Sequence, residues 1–143
     1  MGGSVTPYWP GISDDVLRRA PGFRNDDHAY AAWVAERLMQ PNVLEAVESL
    51  GCGALLTCTS DGVADEEVNW VTPEALTDAA VRLRDLILQC APRVDVIVAS
   101  YGVNANGLDE PAEELCTDLE DVAAIARFSA QAGARVMTLA ANR

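Results

Sequence analysis

The run VDVIVAS, Val94 to Ser100, constrains the fold more than any other stretch of the chain. It is apolar and dense in β-branched side chains, which are stiff in a helix and pack well on a pleated surface. It is short, and it opens into a cluster of turn formers, YGVNANGLDEP. A short apolar run bounded by Gly, Asn and Pro reads as a buried strand. ALLTCT (54–59) and ARVMTLAA (134–141) have the same character.

Helical patterns separate these runs. In VTPEALTDAAVRLRDLILQC, Thr72 is placed to cap and Pro73 to occupy the first turn, with Leu76, Ala80, Leu83, Leu86 and Ile87 as the buried stripe. DLEDVAAIARFSAQAG (118–133) predicts a helix closed by Gly133. The second half therefore reads β-α-β-α-β, whose crossovers imply parallel strands. Val68–Val71 is a further strand candidate that would make the sheet mixed.

The first half reads as helices that cover this sheet. Ser13 caps a short helix over 14–20, ended by Pro21 and Gly22. Asn25 or Asp26 caps a second that runs to about Gln40, with Tyr30, Trp33, Val34 and Leu38 on its apolar face. Pro41 opens a third, striped by Val43, Leu44, Val47 and Leu50 and closed by Gly51. The expected fold is a single α/β domain over 13–143, preceded by an extended N-terminal arm over 1–12. Its sheet has three to four strands, mostly parallel, with the N-terminal helices packed on it. The length of 143 residues fits one core.

Charge bounds the partners. The chain has 22 acidic residues and ten Arg, with no Lys, for a net charge of −12. Residues 1–40 carry −1 and residues 41–143 carry −11. Without Lys the chain builds neither a Schiff-base site nor a P-loop. An acidic surface repels nucleic acid and attracts basic proteins or hard cations. Half the residues are hydrophobic, which argues against disorder. No apolar run reaches the length of a membrane span. MGGSVTPYWPGISDD lacks the regions of a signal peptide, so a cytoplasmic protein is expected. The Arg-only, Ala-rich composition points to a bacterial source.

The expected site follows from the expected sheet. Ligands of open parallel sheets bind beyond the carboxyl ends of the strands. There the loop SDGVADEE would bring Asp61, Asp65, Glu66 and Glu67 beside Asp109, Glu110, Glu113 and Glu114. Asp61, Asp65, Glu66, Glu67, Asp109 and Glu110 are the predicted partner-binding residues. Cys58, Tyr101, Asn104 and Asn106 are predicted to line a pocket at the same edge. Neither loop has the spacing of an EF-hand, so no metal site or cofactor is assigned. Gly, Asn and Asp are also simply what turns are made of.

Other motifs are weak. Cys52, Cys58, Cys90 and Cys116 form no C-x-x-C pair, and buried, reduced thiols are the favoured reading. Cys58 at a strand end is the one thiol considered as a nucleophile. His28 is the only His and reads as a solvent-facing first-turn residue. No G-x-S-x-G, H-E-x-x-H or dinucleotide fingerprint occurs.

Size, acidity and the α/β plan resemble small bacterial immunity or inhibitor proteins, on composition rather than on a motif. The leading expectation is an acidic protein-binding module, an immunity-type inhibitor of a basic toxin or enzyme, and no enzyme itself. The alternative is an enzyme that uses a carboxylate-bound divalent metal or Cys58 at the strand edge. A homodimer is a third expectation, because the outer strands of a small sheet need cover.

Overall fold

The computed structural model describes residues 4–20, 38, 41–56, 59–60, 65–104 and 110–142. Five α-helices lie among them: α1 (Asp14–Arg19), α2 (Pro41–Ser49), α3 (Pro73–Leu88), α4 (Val94–Asn104) and α5 (Pro111–Gln131). Three short strands, β1 (Ser4–Tyr8), β2 (Thr59–Ser60) and β3 (Thr138–Asn142), form one sheet in the order β1-β3-β2.

This corrects the expected α/β fold. The described chain is mainly helical, and the one substantial strand pairing is antiparallel, Ser4–Tyr8 against Thr138–Asn142. The parallel pairing is two residues long, Thr59 with Ala140 and Ser60 with Ala141. ALLTCT is not a strand at its start, since Gly53–Leu56 is a 3₁₀ turn that buries Leu55. Val71 makes only an isolated antiparallel bridge, exchanging backbone bonds of 3.0 and 2.7 Å with Met137.

The decisive difference is Val94–Ser100, which lies inside α4. Val94, Ile97 and Tyr101 are buried, at helical spacing, while Asp95, Val96 and Ala99 are exposed. A strand would instead have alternated. The period is hidden because Val96 and Ala99 put apolar side chains on the exposed side as well. β-Branched residues cost under about 1 kcal/mol each in a helix, which burial of Val94, Ile97 and Tyr101 outweighs.

Where local chemistry is strong, the elements form as read. Ser13 Oγ accepts from the Val16 N–H at 3.3 Å to start α1. Thr72 Oγ1 accepts from the Ala75 N–H at 3.1 Å to start α3, with Pro73 in its first turn. Gly51, at φ +79°, turns the chain out of α2, and its neighbour Cys52 donates to the Val47 carbonyl at 3.0 Å. The predicted helix over 25–40 and His28 lie outside the described residues, apart from Leu38, which is fully buried.

The core is built on α3 and α5. Leu76, Ala79, Ala80, Leu83 and Ile87 of α3 share one buried cluster with Leu115, Leu119, Val122, Ala123 and Ala126 of α5. The helices run antiparallel. Arg84 near the end of α3 reaches Glu120 in the first half of α5, at 3.8 Å, while Thr77 and Arg127 border the same cleft. Arg82 Nε donates to the Leu50 carbonyl at 2.6 Å, which ties the end of α2 to α3. The Tyr8 and Trp70 rings meet at 5.8 Å and hold β1 to the segment before α3.

Leu119→Ala should cost about 2–5 kcal/mol in urea unfolding, because it opens a cavity between α3 and α5. Thr72→Ala should cost about 1 kcal/mol by removing the α3 cap. A Leu119→Ala cost below that of Thr72→Ala would show that this contact is not the core.

Candidate functional site

With no set of three parallel strands, the predicted acidic edge has no common rim. Asp61, Asp109, Cys58 and Asn106 lie outside the described residues. Asp65 opens the 3₁₀ turn Asp65–Glu67, where Glu66 and Glu67 are exposed. Glu110 is exposed at the N-cap of α5, and Asn104 is the last residue of α4. The Asp65–Glu67 turn leads into Val71, which pairs with Met137 beyond the C-terminal end of α5. Glu110 stands at the other end of that helix, about 30 Å away at 1.5 Å per residue. Among the described residues, Asp65, Glu66 and Glu67 thus lie in the segment that leads to one end of α5, and Glu110 lies at the other.

The α5 end is the more crowded. Glu110, Glu113 and Glu114 share its first turn. Protonated Glu113 donates a hydrogen bond to the Glu110 carboxylate, which raises the Glu113 carboxyl above its ordinary value, and the charges of Glu110 and Glu114 push the same way. The positive end of a helix favours carboxylates, yet here mutual crowding outweighs it. A cation seated among these groups would relieve the repulsion. Among the described residues no three His, Cys, Asp or Glu side chains are grouped to hold a metal ion.

Tyr101 is fully buried. Its hydroxyl donates to Oδ2 of Asp118, which is only 6% exposed, across the contact between α4 and α5. Asp118 was expected to begin a helix. It sits instead well inside α5, whose start at Pro111 carries no side-chain cap bond. An Asp in an apolar stripe looks like a cap in sequence, although here it is an interior acceptor.

One feature was missed from sequence, a cleft of about 500 Å³ along α3. Asp78, Val81, Arg82, Asp85 and Gln89 line it, with Arg127 reaching across from α5. The signal was present in the i, i+3, i+4 spacing of these residues. The volume suits a small ligand. The floor, however, is the side of α3 turned away from Leu76, Leu83 and Ile87, and the walls are flexible side chains. Arg84, beside the cleft, bonds Asp85 at 3.1 Å. Two Asp and two Arg leave the cleft with no net charge and no selective chemistry.

The described thiols are free. Burial raises the Cys52 thiol, with Arg82 opposing. Burial also raises Cys116, helped by Glu120 and opposed by Arg84. Neither is set up as a nucleophile, which needs a lowered value. No protein-family model matches the chain, and neither the curated proteins nor the solved structures give a match to it.

Tyr101→Phe should cost about 1–3 kcal/mol, by leaving a buried carboxylate short of a donor, as read by urea unfolding. A neutral effect would show that the bond contributes nothing to stability. Alkaline pH should also destabilise the fold. Unfolded thiols ionise near 8.5, whereas the raised Cys52 and Cys116 stay protonated in the native state. Their contribution is therefore intact below about pH 8.5 and lost as pH rises through the native values. Cys52→Ala should flatten that decline. An unchanged slope would assign the decline to other groups.

Proposed function

We propose that the chain acts by binding: it docks on a basic protein and masks it, as an immunity-type inhibitor of a basic toxin or enzyme does. The reading rests on the exposed, crowded carboxylates Glu110, Glu113 and Glu114, in a chain of net charge −12. Such a surface attracts a cationic partner over long range and gives an affinity that falls with salt. Glu66 and Glu67, at the far end of α5, extend the acidic surface to a partner with two basic contact regions.

The free thiols suit a reducing compartment, and we place the protein in the cytoplasm on that ground. No helix of the described residues is long and apolar enough to cross a membrane.

Glu110→Arg/Glu113→Arg and Glu66→Arg/Glu67→Arg are each compared with the parent chain as bait for source-cell lysate at low salt. One basic polypeptide should be retained by the parent, released by moderate salt and lost from the Glu110/Glu113 variant. The purified polypeptide should bind more tightly as pH rises through the acidic range, because it displaces the proton that crowding holds on Glu113. Retention that survives both charge reversals, or no retained basic polypeptide, overturns the reading.

A further inference from the structure

The corner where α3 passes into α4 stands apart from the rest of the surface. Between Asp85 and Asp109 the only charged residues are Arg93 and Asp95, so this span is neutral in a chain of −12. Three large apolar side chains are exposed among the described residues, and two of them are here: Leu88 at 69% and Val96 at 36%. Ala99, one turn beyond Val96, is exposed as well, and so is Pro92 in the connection. Apart from Asp95, this end of α4 is mostly apolar, and such a helix is normally covered, yet Val96 and Ala99 are left open.

We propose that this corner is the surface on which two copies of the chain associate, and charge selects that occupant. Two identical molecules of −12 repel wherever carboxylates face one another, and the span from Leu86 to Asn104 is where that repulsion is least. A basic partner, by contrast, gains nothing from a neutral face. The two charges present are also self-complementary. Around a two-fold axis, residue i of one copy meets j of the other, and j meets i. Arg93 of each copy then faces Asp95 of the second, which gives two reciprocal ion pairs around an apolar centre of Leu88, Val96 and Ala99. Arg93 is held in place for this, since its Nη1 donates to Ser49 Oγ at 2.8 Å. Its backbone is in the left-handed region, at φ +75°. Asp95 has no ion-pair partner among the described residues.

Sedimentation of the full chain from about 1 µM to about 1 mM spans the range of weak association. A species of twice the 15.2 kDa chain mass is expected. Val96→Asp should weaken it about tenfold or more, since a buried like charge opposes docking. Circular dichroism and melting of the dilute, monomeric chain should stay unchanged, because the position is exposed. Arg93→Asp and Asp95→Arg should each weaken association, and the double swap Arg93→Asp/Asp95→Arg should restore it. A merely structural loss of the Ser49 contact would not be rescued in this way. A monomer at every concentration overturns the proposal, as does a dimer that Val96→Asp leaves intact. Failure of the double swap to recover association overturns the reciprocal pairing.

Discussion

The antiparallel contact of α3 with α5 sets the position of nearly everything else. Ala79 and Ala80 on one side and Ala123 and Ala126 on the other let the two backbones approach, and Leu76, Leu83, Leu115 and Leu119 fill the space between larger turns. Because the helices are antiparallel, the start of α3 lies by the end of α5, where the Val71–Met137 bridge begins the sheet. The sheet is therefore an attachment to the helical core, in contrast with a doubly wound domain, where the helices attach to the sheet. The same contact turns Asp78, Arg82 and Asp85 outward and separates Glu110 from the Asp65–Glu67 turn.

What could be read from sequence was whatever is decided within a few residues. Ser13, Thr72, Pro73 and Gly51 act on their own neighbours, and the helices they bound were legible. Strand pairing is decided by partners far along the chain. Nothing in Ser4–Tyr8 announces that Thr138–Asn142 lies against it. Val94–Ser100 misled for a different reason. A helix with apolar residues on most sides has little periodic contrast, and β-branched composition then suggests a strand. That single reading supplied the middle strand, and with it the parallel sheet and the shared acidic rim. The acidic residues themselves were legible as types, and Glu66, Glu67 and Glu110 are indeed exposed. Which of them are neighbours depended on topology, and Tyr101 and Asp118 needed the tertiary contact to find one another.

The shortage of cations deepens the acidity of the surface. Arg82 serves the Leu50 carbonyl, Arg84 serves Asp85 and Glu120, and Arg93 serves Ser49. Arg82 and Arg93 thus tie helices together through a carbonyl and a hydroxyl rather than balance outer carboxylates, and Arg84 balances only Asp85 and Glu120. With no Lys in the chain, crowding such as that at Glu113 has no nearby ammonium to relieve it. Like charge on such a surface opposes the approach of a second copy everywhere except along stretches that lack charge.

Asp95 is the one charged side chain of α4 and lies on its exposed side, while most other positions are apolar and would fill the core in several rotations. The Tyr101–Asp118 bond reinforces the rotation that keeps Asp95 outside. Rotating α4 by one residue, about 100°, would carry the hydroxyl away from Asp118. It would leave a buried carboxylate short of a donor, at a cost of about 1–3 kcal/mol or more. Exchanging one Val for another at the core face costs far less than that, since either fills the space. The apolar residues thus supply the burial, and Asp95 together with one polar pair supplies the register. With Tyr101 turned inward, Val94 and Ile97 follow it into the core, and Val96 and Ala99 are left facing outward. The exposed apolar face of α4 is the geometrical consequence of keeping Asp95 outside and a polar bond on the opposite side.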